Sequence, residues 1–249
     1  MHLSAVSYLN TRPLVWGLMN GPQKGKATLD FDLPSACADR VSNREVDAGL
    51  VPVIEAARHH LTQIGNLGIA CKGPVRSILL VSKVPVAEIR SIAMDNSSRS
   101  SVMLCRILLE KAHGIQPERI SMAPSLPAML GKADAALVIG DPALRIDPTT
   151  AGMQCLDLGE EWLKQSGLPM VFAIWAANEQ NAELASLLEE SYQFGKEHLQ
   201  EIILAEAHER NIWPGLAYEY LNDHIQYELD DECRRGMKLF IEEAMKIEA

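Results

Sequence analysis

Two short polar turns, Asn10-Thr11-Arg12 and Asp95-Asn96-Ser97-Ser98-Arg99, each stand between an apolar run and a helix-like pattern. The first backbone N–H groups of a helix have no partner within it and carry the positive end of its dipole. Such a turn therefore holds a carboxylate or phosphate without needing a formal cation. Asn10 and Thr11 would serve at one turn, and Ser97, Ser98, Ser100 and Ser101 at the other. Arg12, Arg76 and Arg99 lie beside these turns or a neighbouring strand, and a guanidinium can pair bidentately with a carboxylate. Ser77 opens a strand after Gly73-Pro74 and offers a hydroxyl. These residues also have a plainer use, since Ser, Thr and Asn cap helices everywhere and arginines pair within their own chain, the reading favoured for Arg99. The choice between the two depends on whether both turns face one cleft.

Motifs that would announce other chemistry are missing from the sequence. There is no GxSxG elbow, no phosphate-binding GxxxxGK[ST], no HExxH and no GxGxxG. His59-His60 is the only adjacent histidine pair and reads as solvent-exposed on a polar helix face. The expectation is catalysis by positioning and hydrogen bonding, with no metal and no cofactor.

An apolar share of 47% with 22% charged residues suits a folded chain of 249 residues and argues against disorder. The net charge of −10, without any Lys/Arg run, argues against a nucleic-acid partner. No apolar run approaches the roughly 18 residues of a membrane span. The start, Met1-His2-Leu3-Ser4-Ala5-Val6, has no secretory pattern, so a cytoplasmic protein is expected. Five scattered cysteines without a CxxC pair fit reduced, buried thiols.

The elements that would position the turns follow a β/α rhythm. Strands are expected at 3–9, 29–33, near 47–53, 64–71 and 76–82, with a helix opened by Pro13 and another capped by Ser35. The pattern then restarts, with strand 91–94, the serine-rich turn and a helix through Val102, Leu104 and Leu108. Ala133-Asp134-Ala135-Ala136-Leu137-Val138 echoes Val46-Asp47-Ala48-Gly49-Leu50-Val51 at nearly the same distance from its own turn. Another strand follows at 168–176, and the tail is helical over 182–208 and 231–247. This predicts an α/β clamshell, with lobe one formed by residues 1–83 and 173–249 and lobe two by 84–172. A ligand cleft would lie between the lobes.

Several blocks in order resemble one family. They are Ser7-Tyr8-Leu9-Asn10-Thr11-Arg12-Pro13-Leu14, Val46-Asp47-Ala48-Gly49-Leu50-Val51-Pro52-Val53, Gly73-Pro74-Val75-Arg76-Ser77-Ile78-Leu79-Leu80, Ser98-Arg99-Ser100-Ser101-Val102, Leu137-Val138-Ile139-Gly140-Asp141 and Asp157-Leu158-Gly159-Glu160-Glu161-Trp162. Gly167-Leu168-Pro169 and Phe172-Ala173 complete the set, which covers most of residues 4–176. It resembles the chorismate dehydratase family of the futalosine route to menaquinone, whose fold is similar to type II periplasmic binding proteins. The resemblance implies a hydro-lyase that eliminates water from chorismate, a small dianion, to give 3-[(1-carboxyvinyl)oxy]benzoate. It maps the family's functional Asn and Ser onto Asn10 and Ser77, with the substrate's own enolpyruvyl carboxylate taking the proton. Thr11, Arg12, Arg76, Ser97, Ser98, Ser100, Ser101, Gly140 and Asp141 are the expected substrate-binding set. Ser100 stands where the family pattern has Thr, which keeps the hydroxyl. The rival readings are a cytosolic, non-catalytic binding protein for a small carboxylate, the effector domain of a transcription regulator, and the sister enzyme acting later in the same pathway. No helix-turn-helix segment precedes Leu3, which counts against the regulator, and the Tyr8-Leu9-Asn10 opening favours the dehydratase over the sister enzyme.

Overall fold

The computed structural model describes residues 1–95, 97–147 and 153–248. Among them the strands are β1 His2–Val6, β2 Thr28–Asp32, β3 Ala48–Pro52, β4 Thr62–Cys71, β5 Ile78–Ser82, β6 Ser91–Asp95, β7 Glu118–Met122, β8 Ala135–Ile139, β9 Gln154–Asp157, β10 Met170–Ala177 and β11 Gln226–Glu228. Runs of consecutive apolar residues make the central strands: β3, β5 and β8 are buried along their whole length, as strands covered on both faces must be. The edge strands β2 and β7 instead carry Asp30, Asp32, Glu118 and Arg119, charges that discourage pairing with another chain.

Two sheets result, ordered β11-β4-β10-β3-β1-β2 and β7-β6-β8-β5-β9. They repeat one topology. In each, a central strand (β1 or β6) pairs in parallel with two neighbours (β2 and β3, or β7 and β8), and β10-β4 or β5-β9 extends the sheet antiparallel. The repeated Asp has the same task in both. Asp47 accepts the N–H of His2 at the start of β1 at 2.7 Å, and Asp134 accepts those of Arg90 and Ser91 at the start of β6 at 3.0 Å.

The lobe boundaries differ from those expected. Ile78–Ser82, expected to close lobe one, lies between β8 and β9 in the second sheet, and Met170–Val171, expected to end lobe two, begin β10 in the first. The chain therefore crosses over residues 72–77 and returns before Met170. One side chain ties the two crossings. Asp157 accepts N–H bonds from Val75 at 2.9 Å and Arg76 at 2.6 Å, and it also caps the helix Leu158–Ser166 through Gly159 and Glu160. Burial raises its pKa above the ordinary carboxylate value, against the lowering effect of those four donors.

Two local expectations also change. The helix Pro34–Ser42 begins at its proline with Leu33 as N-cap, so Ser35 lies inside it, because proline's fixed φ suits the first helical position. His59 and His60 lie beyond the end of the short helix Val53–Arg58, with His59 3.5 Å from Glu55. The C-terminal helix Asp231–Glu248 joins the lobes: Phe240 meets Trp162 edge-on at 6.1 Å, and Glu243 pairs with Lys111 of the helix Arg99–His113. The five cysteines are free; Cys37, Cys71, Cys105 and Cys233 are buried, and burial pushes the Cys37 thiol up to about 11.

Candidate active site between the lobes

Each lobe delivers its polar turn from the end of its central parallel strand. β1 leads through Ser7-Tyr8 into the 3-10 turn Leu9–Thr11 and the helix Arg12–Asn20, with Pro13 in its first turn. β6 leads into the helix Arg99–His113, whose N-cap is Ser98; its hydroxyl accepts the Ser101 N–H and lies 3.1 Å from the Ser101 Oγ. Asn10, Thr11, Ser77, Ser98, Ser101 and Gly140 line a common cleft of about 510 Å³, open space at its mouth included. Leu50, Pro52, Ile69, Val75, Ile139 and Phe172 supply its apolar walls. Thr11 is fully buried, yet its Oγ1 has no hydrogen-bond partner among the described residues. An unmet buried hydroxyl costs about 1–3 kcal/mol, which a polar ligand in the cleft would offset. Asn96 lies outside the described residues.

Ser77 is 2% exposed and held at several points. Its N–H donates to Val75 O at 2.7 Å, its carbonyl accepts the Gly140 N–H at 2.8 Å, and its Oγ accepts the Tyr220 hydroxyl at 2.9 Å. Burial raises the pKa of that tyrosine far above its ordinary value, opposed by Ser77 and, more weakly, by the Asn10 side chain. Nothing in the local sequence marks Tyr220, which comes from the helical tail and reaches the site only through the tertiary fold.

Tyr8 spans the cleft. Its hydroxyl donates to Ser97 Oγ of the other lobe at 2.9 Å, and burial raises its pKa to about 12, helped by Asp95 and Asp141 and opposed by the Ser97 bond. Its ring lies against Gly140, where a Cβ would fall 2.7–2.9 Å from ring carbons.

Three expected ligand contacts are committed elsewhere. Asp141, at the start of the short helix Asp141–Leu144, accepts the Leu9 N–H across the cleft at 2.9 Å and pairs with Arg210, which also donates to Ser7 O at 2.8 Å. Arg12 pairs with Glu206 at 2.9 Å and lies 4.3 Å from the centre of the Phe31 ring; Glu206 in turn binds Arg210. The result is a chain of alternating charges, Arg12-Glu206-Arg210-Asp141, that closes one lobe on the other. The Arg76 guanidinium donates to Ala143 O at 3.2 Å, in the helix Asp141–Leu144, and to Ile146 O at 2.6 Å just beyond its end. None of these three residues lines the cleft. The physical reason is shared: a buried or half-buried charge needs a partner, and each finds one within the chain. Ser100 is fully buried, with its Oγ 3.5 Å from the Ile54 N–H. Arg99 bridges Asp39 and Glu55 of lobe one at 3.1 and 2.6 Å.

Two sheets of one topology, closing on a cleft lined by helix-starting turns, define a periplasmic-binding-protein-like clamshell. A protein of Archaeoglobus fulgidus has the same architecture, with a TM-score of 0.79 at 18% identity over 99% of this chain and 97% of that one. The periplasmic aliphatic sulphonate binding protein of Escherichia coli is similar at a TM-score of 0.68 and 14% identity, covering 100% and 87%. The chain belongs to the menaquinone biosynthesis family, whose model matches residues 1–246. Among curated relatives, the chorismate dehydratase of Thermus thermophilus is 29% identical over 80% of this chain and 79% of its own length. That of Campylobacter jejuni is 25% identical over 97% and 96%.

Proposed function

We propose that the chain is a chorismate dehydratase, a hydro-lyase of menaquinone biosynthesis that converts chorismate to 3-[(1-carboxyvinyl)oxy]benzoate. The observation that carries this is the family match over residues 1–246, with relatives named for that activity matching over 80% and 97% of the chain. The cleft suits the substrate: its donors are mostly neutral hydroxyls, an amide and a helix N-terminus, which hold carboxylates without the cost of burying a cation.

The reaction removes the proton from C3 and the hydroxyl from C4, and the ring becomes aromatic, which drives the elimination. In this reading the enolpyruvyl carboxylate takes the proton, so the chain's task is orientation. Asn10 and Ser77 hold the reacting side chain and the departing hydroxyl. Thr11 Oγ1, without a hydrogen-bond partner among the described residues, is a further donor on the same turn. Ser98 and Ser101, at the positive end of the helix Arg99–His113, anchor the other carboxylate. Arg12, Arg76 and Asp141 support the walls and the closure. The cytoplasm is the place this reading assigns, as for a biosynthetic enzyme; among the described residues no helix is long and apolar enough to cross a membrane.

The test is incubation of purified protein with chorismate, without added metal or cofactor, followed by mass spectrometry. Loss of one water well above the protein-free rate supports the dehydratase. Chorismate bound but returned unchanged would favour the non-catalytic binding protein instead.

A further inference from the structure

We propose that Tyr220 is a positioning residue of the dehydration, fixing the direction in which the Ser77 hydroxyl donates its proton; this rests on the dehydratase reading above. The Tyr220 side chain is 1% exposed and does not line the cleft, so it acts through its neighbours. Its hydroxyl donates to Ser77 Oγ at 2.9 Å. A phenol has a single proton. With that proton committed to Ser77, the phenol donates to no other group. Ser77 in turn uses a lone pair on Tyr220 and keeps its own proton for the cleft that it lines. One buried hydroxyl thus sets the polarity of Ser77.

The surroundings keep it so. Burial raises the Tyr220 pKa far above the ordinary tyrosine value, so the proton stays in place at every pH the protein meets. Tyr220 opens a π-helical turn, Tyr220–His224, directly after the helix Pro214–Glu219. Such wide turns are uncommon and recur at functional sites, where they place a side chain that a regular helix would point elsewhere. Tyr220 and Ser77 come from separate segments, the C-terminal tail and the crossing between the lobes.

The test is Tyr220→Phe, which keeps the ring and removes only the hydroxyl. Wild-type turnover of chorismate is measured first, so failure of the dehydratase reading is seen separately. The expected result is a kcat lower by about tenfold, with KM for chorismate within about threefold of wild type. In a Ser77→Ala background the same substitution should cost little more, because its route of action is gone. An unchanged kcat, or a full additional loss in that background, would overturn the proposal. Proton NMR of the wild-type protein decides it independently of activity and of the variant's folding. A slowly exchanging Tyr220 hydroxyl proton with a nuclear Overhauser effect to the Ser77 side chain is expected, and its absence would also overturn the proposal.

Discussion

Replacing Gly140 by Ala should separate the energy of closing the cleft from the energy of folding. Gly140 has φ +69° and ψ −148°, a region that residues with a Cβ essentially do not occupy. Its strain, about 1–3 kcal/mol, falls on the lobe itself and should lower Tm by several degrees. The added methyl meets a second obstacle, at 2.7–2.9 Å from the Cζ, Cε1 and Cε2 atoms of Tyr8, which belongs to the other lobe. Carbon atoms in contact prefer about 3.5–4.0 Å, so the ring must retreat by about 1 Å. That shift gives up the 2.9 Å bond from Tyr8 to Ser97, worth about 1 kcal/mol, and some packing. Only this second part, about 1–2 kcal/mol, falls on the closed form, so chorismate should bind about 5- to 30-fold more weakly. The assay is KM and chorismate affinity alongside thermal unfolding, in wild-type and Tyr8→Ala backgrounds. With Tyr8 truncated, the methyl should still lower Tm but should no longer weaken binding. A fall in Tm with unchanged affinity in the wild-type background would refute the reasoning, because Gly140 would then matter only to its own backbone.

Asn10→Asp should fold normally but lose activity by on the order of 100-fold in kcat/KM, because a carboxylate repels the dianionic substrate and lacks the amide donor. Steady-state kinetics with circular dichroism check this. Asp141→Asn leaves Arg210 with Glu206 as its remaining acidic partner and weakens closure; KM should rise about tenfold and become less sensitive to salt, seen by titrating the ionic strength. The Asp134 carboxyl is held below its ordinary value, foremost by the Arg90 N–H and then by Ser91. A carboxyl depressed by folding contributes stability above its unfolded pKa, near 4, and loses it as the pH falls through the folded value. Asp134→Asn should therefore flatten the acid side of a Tm–pH profile while lowering Tm at neutral pH.

Much of the plan lay in local sequence. The polar turns after β1 and β6 are legible because each follows an apolar run and precedes a helical pattern, and that pattern depends on neighbours in sequence alone. The repeated Asp47 and Asp134 are legible for a related reason: each strand pair needs its first N–H groups satisfied, and one residue type at one position does so in both lobes. Ordered family blocks added the activity and pointed to Asn10 and Ser77.

Only the tertiary structure decided how the charges and the tail are used. Arg12, Arg76 and Asp141 look in sequence like ligand contacts, because a lone charge beside a turn carries no record of its partner. Glu206 and Arg210, far along the chain, claim Arg12 and Asp141, and the carbonyls of Ala143 and Ile146 claim Arg76. The crossing point shifted for a similar reason. The apolar run of Ile78–Ser82 suits a buried strand in either sheet, and pairing with β8 and β9 settles which. Tyr220 is the extreme case, a tyrosine in a helical tail whose hydroxyl bonds Ser77. Hydrogen-bond partners are chosen by distance in space, and a sequence specifies that distance only through the whole fold.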